Sequence, residues 1–509
     1  MGSPLPYLDR ATLRNLRGRR GGVGDEGGAA GASGDAAHPI RLVQFGEGNF
    51  LRCFVGWMVD VANEAGSLDA GIAVVQPLER GTVDTLRKQG GLYTVVLKGV
   101  RDGQLHTSYR VVTAVQDALN PYQEWDRFLT LARSEALEWF VSNTTEAGIS
   151  YEACSPPAGE CPSSYPAKLT AFLHERFRHF DGDPNRGLHI LPCELNESNG
   201  DRLREIVLRH AADWELSSAF VAWLETANCF FNTLVDRVVS GYPKDFVDEL
   251  EGELGYRDRL MVMGELYHSW IIEDPEQRSA ALALEAAGLN LKRVSDLRPY
   301  RQRKVRILNG AHTGIVPAAV AAGLETVQEM IEDEVFGPLT RQLLFREVLP
   351  YVPVSQDEAQ EYAEAVLARF ANPAIRHYLR DIVLNSVAKF SVRVFPTIVD
   401  YAAAKGELPP IATFSLAALI WLYGAAARGD TRLQEVVRDR EEIVQRFSEA
   451  WQACSREGDY RRLVAAVVPA VAGDERDAPA GLVEATALQV ERIERGGLKA
   501  SAGQLLTRP

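Results

Sequence analysis

Two stretches of unlike texture meet near residue 290, and that change limits the possible folds more than any single motif. Before it, apolar runs of strand length recur at 41–45, 71–75, 93–97, 109–113, 139–142 and 188–191. Helical periodicity fills several of the gaps, as at 122–133 and 167–178. Strands that alternate with helices predict an α/β, Rossmann-like domain with a parallel-rich, doubly wound sheet. After it, helix follows helix: 325–332, 356–370, 375–389, 413–427, 433–453, 460–471 and 482–495. The reading is therefore a sheet domain at 39–290 and a mainly α-helical domain at 291–509, preceded by an extension at 1–38.

That extension holds Arg14, Arg17, Arg19 and Arg20 and then a Gly/Ala-rich run to Ala37. It has too little apolar surface to offset the entropy of ordering, so disorder is expected. The chain as a whole carries 55 basic and 69 acidic residues, a net charge of −14. An acidic surface of that size argues against a nucleic-acid partner and leaves a small molecule as the expected one. The sequence leaves the oligomeric state open. No run of about 18 apolar residues is evident, so no membrane span is expected. Six cysteines without a C-x-x-C pair read as free thiols in a reducing cytoplasm. The segment 151–166, with two cysteines and four prolines, reads as a surface excursion.

A short strand ending at Phe45 runs into Gly46-Glu-Gly48 and then into a helix. Such a turn lets backbone N–H groups approach a pyrophosphate, and the helix N-terminus adds partial positive charge. The third glycine of G-x-G-x-x-G falls on Leu51, so the fingerprint is incomplete. The residue expected to hold the adenine ribose follows the second strand, where Glu79 and Gln76 are the candidates. A carboxylate there favours NAD over NADP.

The densest chemistry is Lys304-Val-Arg-Ile-Leu-Asn309-Gly-Ala-His312. On an α-helix Asn309 and His312 share a face, and Lys304 falls in the same broad sector. A partly desolvated lysine exchanges protons near neutral pH, an amide N–H stabilises a developing oxyanion, and an imidazole hydrogen-bonds substrate. A snorkelling lysine, a capping asparagine and a satisfied core histidine would show the same spacing.

Lys-x4-Asn-x2-His resembles the motif of the mannitol dehydrogenase family, the polyol-specific long-chain dehydrogenases. Phe45-Gly-Glu-Gly-Asn-Phe-Leu-Arg52 is similar to that family's nucleotide turn. Ser142-Asn-Thr-Thr-Glu146, Cys193-Glu-Leu-Asn-Glu-Ser-Asn-Gly200, Asn232-Thr-Leu-Val-Asp-Arg237 and Arg369-Phe-Ala-Asn-Pro373 resemble further segments in the same order. The resemblance implies NAD use without a metal, Lys304 as general acid/base, Asn309 as oxyanion stabiliser and His312 as a substrate hydrogen-bonder. It places Phe45, Gly46, Gly48, Asn49, Phe50, Asn143, Thr144, Glu146 and Asp236 at the cofactor. An equally good account of Asp236 is a salt bridge with Arg237. The family's second oxyanion asparagine corresponds here to Leu195, with Asn196 and Asn199 nearby; Asn199, in an Asn-Gly pair, has the better claim.

Within the family, the phrases Gln44–Arg52, Leu191-Pro-Cys-Glu-Leu195, Leu308–Thr313 and Leu384–Lys389 resemble the members that reduce a keto-hexuronate (tagaturonate) to a hexonate (altronate). Reduction of fructuronate, or of a ketose to a neutral polyol, is the alternative. A uronate carboxylate needs a cationic partner, for which Arg380, Lys389 and Arg393 are the candidates. The nine histidines contain no H-x-x-x-H pair, so activity is expected to survive EDTA.

Overall fold

The computed structural model describes residues 5–19, 37–101, 104–373, 377–473 and 477–506. It divides into two compact units, Met1–Leu297 and Arg298–Pro509. The boundary lies beyond the expected residue 290 because 291–294 form a strand of the first unit.

The strands of the first unit are β1 Ile40–Phe45, β2 Gly71–Val75, β3 Tyr93–Arg101, β4 Gln104–Val112, β5 Val115–Leu119, β6 Trp139–Ser142 and β7 His189–Pro192. They continue as β8 Cys229–Phe230, β9 Thr233–Asp236, β10 Val239–Gly241, β11 Val262–Glu265, β12 Ser269–Glu273 and β13 Leu291–Val294. Six of them form a parallel sheet in the order β5-β2-β1-β6-β7-β8. This is the doubly wound order, in which the chain reverses direction of travel at β1 and β6. Both faces of the sheet are covered, so its strands are apolar throughout rather than alternating. Leu42, Ile72, Val74, Trp139 and Val141 enter one core. Val43, Phe45, Val75 and Phe140 enter the other.

Two of the predicted strands belong elsewhere. β3 and β4 pair antiparallel in a second sheet of order β10-β11-β3-β4. The first residues of β4 are exposed, as an antiparallel pair with one solvated face permits. Helix Arg10–Arg19 is a correction to the expected disorder of the extension. Leu8 and Leu13 are buried with Leu92, Val96, Leu254 and Met263, and burial stabilises each leucine by about 1.5–3 kcal/mol. The Leu8 amide donates to the Arg257 carbonyl at 2.8 Å, and the Arg257 amide donates to that of Pro6 at 2.8 Å. The arginines dominate the composition there and mask the Leu8, Leu13 and Leu16 stripe. Residues 20–36, which carry the Gly/Ala run, lie outside the described residues.

The second unit is helical, around Pro410–Ala427. By length and composition this 18-residue helix could cross a membrane, contrary to the sequence reading; in the fold it is 83% buried. It packs against helices Gly310–Ala321, Glu441–Glu457 and Leu482–Gly496. Its N-terminus is capped by Glu347, whose carboxylate accepts the amides of Ile411 and Ala412 at 2.7 and 2.8 Å. Two expected helices are each broken. The stretch read as 375–389 gives Leu379–Ile382 and Ser386–Arg393, separated at Asn385 with φ +53°. The stretch read as 433–453 gives Thr431–Val436 and Glu441–Glu457. The breaks join each other: the Asn385 amide donates to the Arg438 carbonyl at 2.9 Å, and that of Val387 to Asp439 at 3.3 Å.

Candidate functional site

In the first unit the candidate residues gather where β1 and β6 end. Gly46 leaves β1 with φ +139°, a backbone that side-chain-bearing residues rarely adopt. A Cβ there would meet Leu51 Cδ1 at 2.9 Å and the Asn143 carbonyl at 3.2 Å. At Gly48 a Cβ would meet nothing within 4 Å, so the start of the helix at Asn49 presents open backbone. Leu51 is buried in place of the third glycine. The helix then widens into a π turn at Arg52–Gly56, and Gly56 gives the close approach, since a Cβ there would run into the Tyr93 hydroxyl. An open glycine at the mouth of a parallel switch point fits a dinucleotide pyrophosphate.

Most of the side chains named for the cofactor serve as fasteners. The Phe45 ring is fully buried against Phe140 and Tyr165, so only its main chain reaches the turn. Asn49 Oδ1 accepts Arg52 Nη2 at 2.8 Å. Phe50 is half-buried and stacks on Phe54. Asn143 Nδ2 donates to the Cys193 carbonyl at 2.8 Å. Thr144 donates through N and Oγ1 to Glu194 Oε1 at 2.8 and 2.9 Å, and Ser142 Oγ donates to Oε2 at 3.1 Å. Burial pushes the Glu194 carboxyl up, opposed by those donors. Thr145 follows at φ +72°, ψ 166°, a strained conformation next to the switch point. Glu146 is exposed, and its carbonyl accepts Asn196 Nδ2 at 3.1 Å. Asp236 is buried at the end of β9. Arg237 donates to the carbonyls of Cys53, Leu266 and Tyr267 and lies over the Trp57 ring.

Asn199 does not present a free amide. Its Nδ2 donates to the carbonyls of Pro192, Glu194 and Thr233 at 3.0, 2.8 and 3.2 Å. Its Oδ1 accepts the amides of Gly200 and Thr233. With its two N–H donors already shared among three carbonyls, it has none to spare for an oxyanion. Leu195 is 51% exposed.

In the second unit the helix that carries the polar trio is itself irregular. Residues Arg298–Lys304 are α-helical, Val305–Asn309 form a π turn and Gly310–Ala321 resume the α-helix. In an α-helix a five-residue step overshoots a full turn by about 140°. The wider i→i+5 pattern of a π turn reduces that overshoot. The turn thus draws Lys304 and Asn309 towards one face, which α-helical spacing alone does not do. Arg306 pins it, donating to the Tyr351 carbonyl at 2.8 Å, Asp400 at 2.6 Å and Thr397 at 3.2 Å. Gly310 allows close packing on Ser386–Arg393, since a Cβ there would lie 3.0 Å from the Arg393 carbonyl.

His312, 7% exposed, stacks on Phe370 at 4.0 Å and meets His377 edge-on at 5.1 Å. Its Nε2 is buried and has no hydrogen-bond partner among the described residues. Burial holds its pKa well below the usual histidine value, reinforced by His377, Arg369, Arg393 and Lys389. The ring is therefore neutral within a cationic surround. Arg393 Nη1 donates to Thr313 Oγ1 at 3.3 Å, and Lys389 Nζ to the Ile382 carbonyl at 2.8 Å. Arg380 is exposed and lies over the Tyr378 ring, so of the three cations proposed for a carboxylate it is Lys389 and Arg393 whose charges bear on His312. Arg369 and His377 complete the cluster. The signal for Arg369 was its Arg-Phe-Ala-Asn-Pro phrase; nothing in the sequence singled out His377.

Comparison with known proteins agrees with this division. The profile described as mannitol dehydrogenase Rossmann domain matches residues 40–286, and that described as mannitol dehydrogenase C-terminal domain matches 296–470. The altronate oxidoreductase of Escherichia coli O139:H28 (strain E24377A / ETEC) is 42% identical over 468 residues, covering 91% of this chain and 96% of its own. That of Yersinia enterocolitica serotype O:8 / biotype 1B (strain NCTC 13174 / 8081) is 40% identical over 470 residues, with the same coverage. Among solved structures, a substrate-free D-sorbitol dehydrogenase aligns with a TM-score of 0.77 at 20% identity, over 97% of this chain and 100% of that one. A Pseudomonas fluorescens mannitol 2-dehydrogenase in complex with NAD and D-mannitol aligns with a TM-score of 0.70 at 20% identity, over 99% and 100%.

Proposed function

Because this chain belongs to the mannitol dehydrogenase family, we propose that it is an NAD-dependent, metal-independent reductase of a keto-hexuronate, converting tagaturonate to altronate and back. The observation that carries the substrate class is the surround of His312: a buried imidazole whose Nε2 has no hydrogen-bond partner among the described residues, and whose pKa is lowered by the charges of Arg369, Arg393 and Lys389. A neutral polyol accepts hydrogen bonds from such cations but gains no charge pairing from them. A uronate carboxylate does, and an arginine can grip it through two parallel hydrogen bonds.

When bound, the nicotinamide supplies hydride to the substrate carbonyl carbon or takes it from the alcohol. The chain's own groups handle the oxygen. Lys304 passes a proton to that oxygen in reduction and takes it back in oxidation. Asn309, brought towards Lys304 by the π turn, donates an amide N–H to the charge that develops there. His312 Nε2 hydrogen-bonds a substrate hydroxyl, as donor or acceptor according to its tautomer. Its depressed pKa keeps it from competing with Lys304 for the proton.

Steady-state NADH oxidation with tagaturonate, fructuronate and fructose tests the proposal. The expected order has tagaturonate at least roughly 100-fold above fructose in kcat/KM, a difference of about 2.7 kcal/mol. Preference for fructose would overturn carboxylate recognition, and preference for fructuronate would reassign the substrate within the class. Activity is expected to persist after dialysis against EDTA.

A further inference from the structure

In the doubly wound fold the adenine ribose lies over the end of the second strand, where an acidic residue usually accepts its hydroxyls. Neither residue that follows β2 here is suited to that task. Gln76 is 3% exposed and fully engaged: its Nε2 donates to the carbonyls of Leu78 and Glu79 at 2.8 and 3.1 Å, and its Oε1 accepts the Val83 amide. Glu79 is exposed, and what the loop uses of it is its carbonyl, which also accepts Asn120 Nδ2 at 3.0 Å.

A carboxylate nevertheless reaches this place from the neighbouring turn. β1 and β2 are paired with Phe45 opposite Val75, so the turns that follow them run side by side. Glu47, between the two glycines of the first turn, extends across to the second, where the Thr82 amide favours its carboxylate form. Its Oε1 lies where a side chain on Gly81 would have to go, so the loop after β2 closes around the Glu47 carboxylate. Burial raises its pKa, while the amides and Arg52 pull the other way. A carboxylate has lone pairs for several donors.

We infer that Glu47 is the residue that accepts the ribose hydroxyls of the cofactor's adenosine half and repels a 2′-phosphate. The inference rests on the NAD-dependent reading above and adds the residue that sets the choice of dinucleotide. A 2′-phosphate would bring nearly two negative charges against a fixed one. Removing that charge should lower the discrimination roughly tenfold or more. Arg80, exposed in the same loop, would then be open to the phosphate.

The test is equilibrium binding of NADH and NADPH to the full chain, followed by nicotinamide fluorescence or calorimetry, with no substrate present. The wild type should bind NADH more tightly. Glu47→Gln, which retains an acceptor for the Thr82 amide, should bring the two affinities at least about tenfold closer. Thermal melting checks that the variant is folded, and Glu47→Ala serves as a second variant. An unchanged ratio in both folded variants overturns the inference while leaving the NAD-dependent reading intact. So does a ratio that follows Glu79→Gln instead, whereas a wild type that prefers NADPH overturns the NAD-dependent reading as well. A wild type that binds neither dinucleotide overturns the reading and the inference together.

Discussion

Helices in both units pass through a π turn next to the candidate chemistry, at Arg52–Gly56 and at Val305–Asn309, and the two turns are used differently. Around the first, polar side chains are spent on the protein itself. Arg52 donates to the Glu47 carbonyl, to Asn49 and to the Leu260 carbonyl. Asn143 and Asn199 likewise tie loop backbone together, and what remains open is backbone at Gly48. Around the second, fastening falls to Arg306, and His312 keeps a buried nitrogen unpartnered among the described residues. Holding a pyrophosphate can be left to main-chain geometry, which any sequence with the right glycines supplies. Moving a proton and reading a sugar acid require particular side-chain atoms.

The contrast can be broken by substitution. Lys304→Ala should produce the largest effect, a fall in kcat of about 10²–10⁴, with NADH affinity by fluorescence titration within about threefold of wild type. A variant that kept its turnover would remove Lys304 from proton transfer. Gly46→Ala should act on the other side, because its φ of +139° and the Leu51 and Asn143 contacts oppose a methyl group. It is expected to cost about 1–3 kcal/mol of stability and to weaken NADH at least roughly tenfold.

Arg393→Met should raise KM for the uronate by about tenfold or more and leave a neutral ketose nearly unaffected, consistent with loss of a charge-assisted contact. Equal changes for both substrates would detach Arg393 from carboxylate binding. Asn199→Ala sharpens the contrast most directly. As a fastener its loss should lower stability by about 1–3 kcal/mol, seen as a reduced denaturation midpoint, with kcat of the folded enzyme within about threefold. A fall in kcat at unchanged stability would restore it as an oxyanion donor.

The last prediction concerns pH and leaves catalysis aside. Glu347 sits in a third π turn, Leu343–Val348, and burial pushes its carboxyl from 4.5 to about 7. Between those values the unfolded chain has released a proton that the folded chain still holds. The contribution is therefore complete below about pH 4.5 and is lost as pH rises to about 7. Glu347→Gln should flatten that part of the stability profile, measured by denaturant titration at several pH values.

Much of the architecture was legible from residue pattern, because burial on both faces forces continuous apolar strands. β2 and β6 begin and end where the apolar runs do. Local pattern failed where a distant partner decides the outcome. The break at Asn385 exists because its amide meets the Arg438 carbonyl. Helix Arg10–Arg19 is held by Arg257 and by a core built from β3, β4 and β11. At the candidate site, the glycine turn after the first strand and a helix carrying Lys304, Asn309 and His312 were both expected from local pattern. Which asparagines are fasteners could not be expected from it, because an amide looks the same in sequence whether or not its hydrogens are already taken.

The sequence by itself determined two units, a glycine turn after the first strand and a polar trio on an apolar helix, since all three follow from residues near in the chain. The tertiary structure decided that Asn199 is consumed by three carbonyls and that Glu47 lies beside the loop after β2. It also brought the charges of Arg369, Lys389 and Arg393 to bear on His312. Hydrogen bonds and fields act through space over a few ångströms, and the groups they join here are up to 81 residues apart along the chain, as Arg393 is from His312.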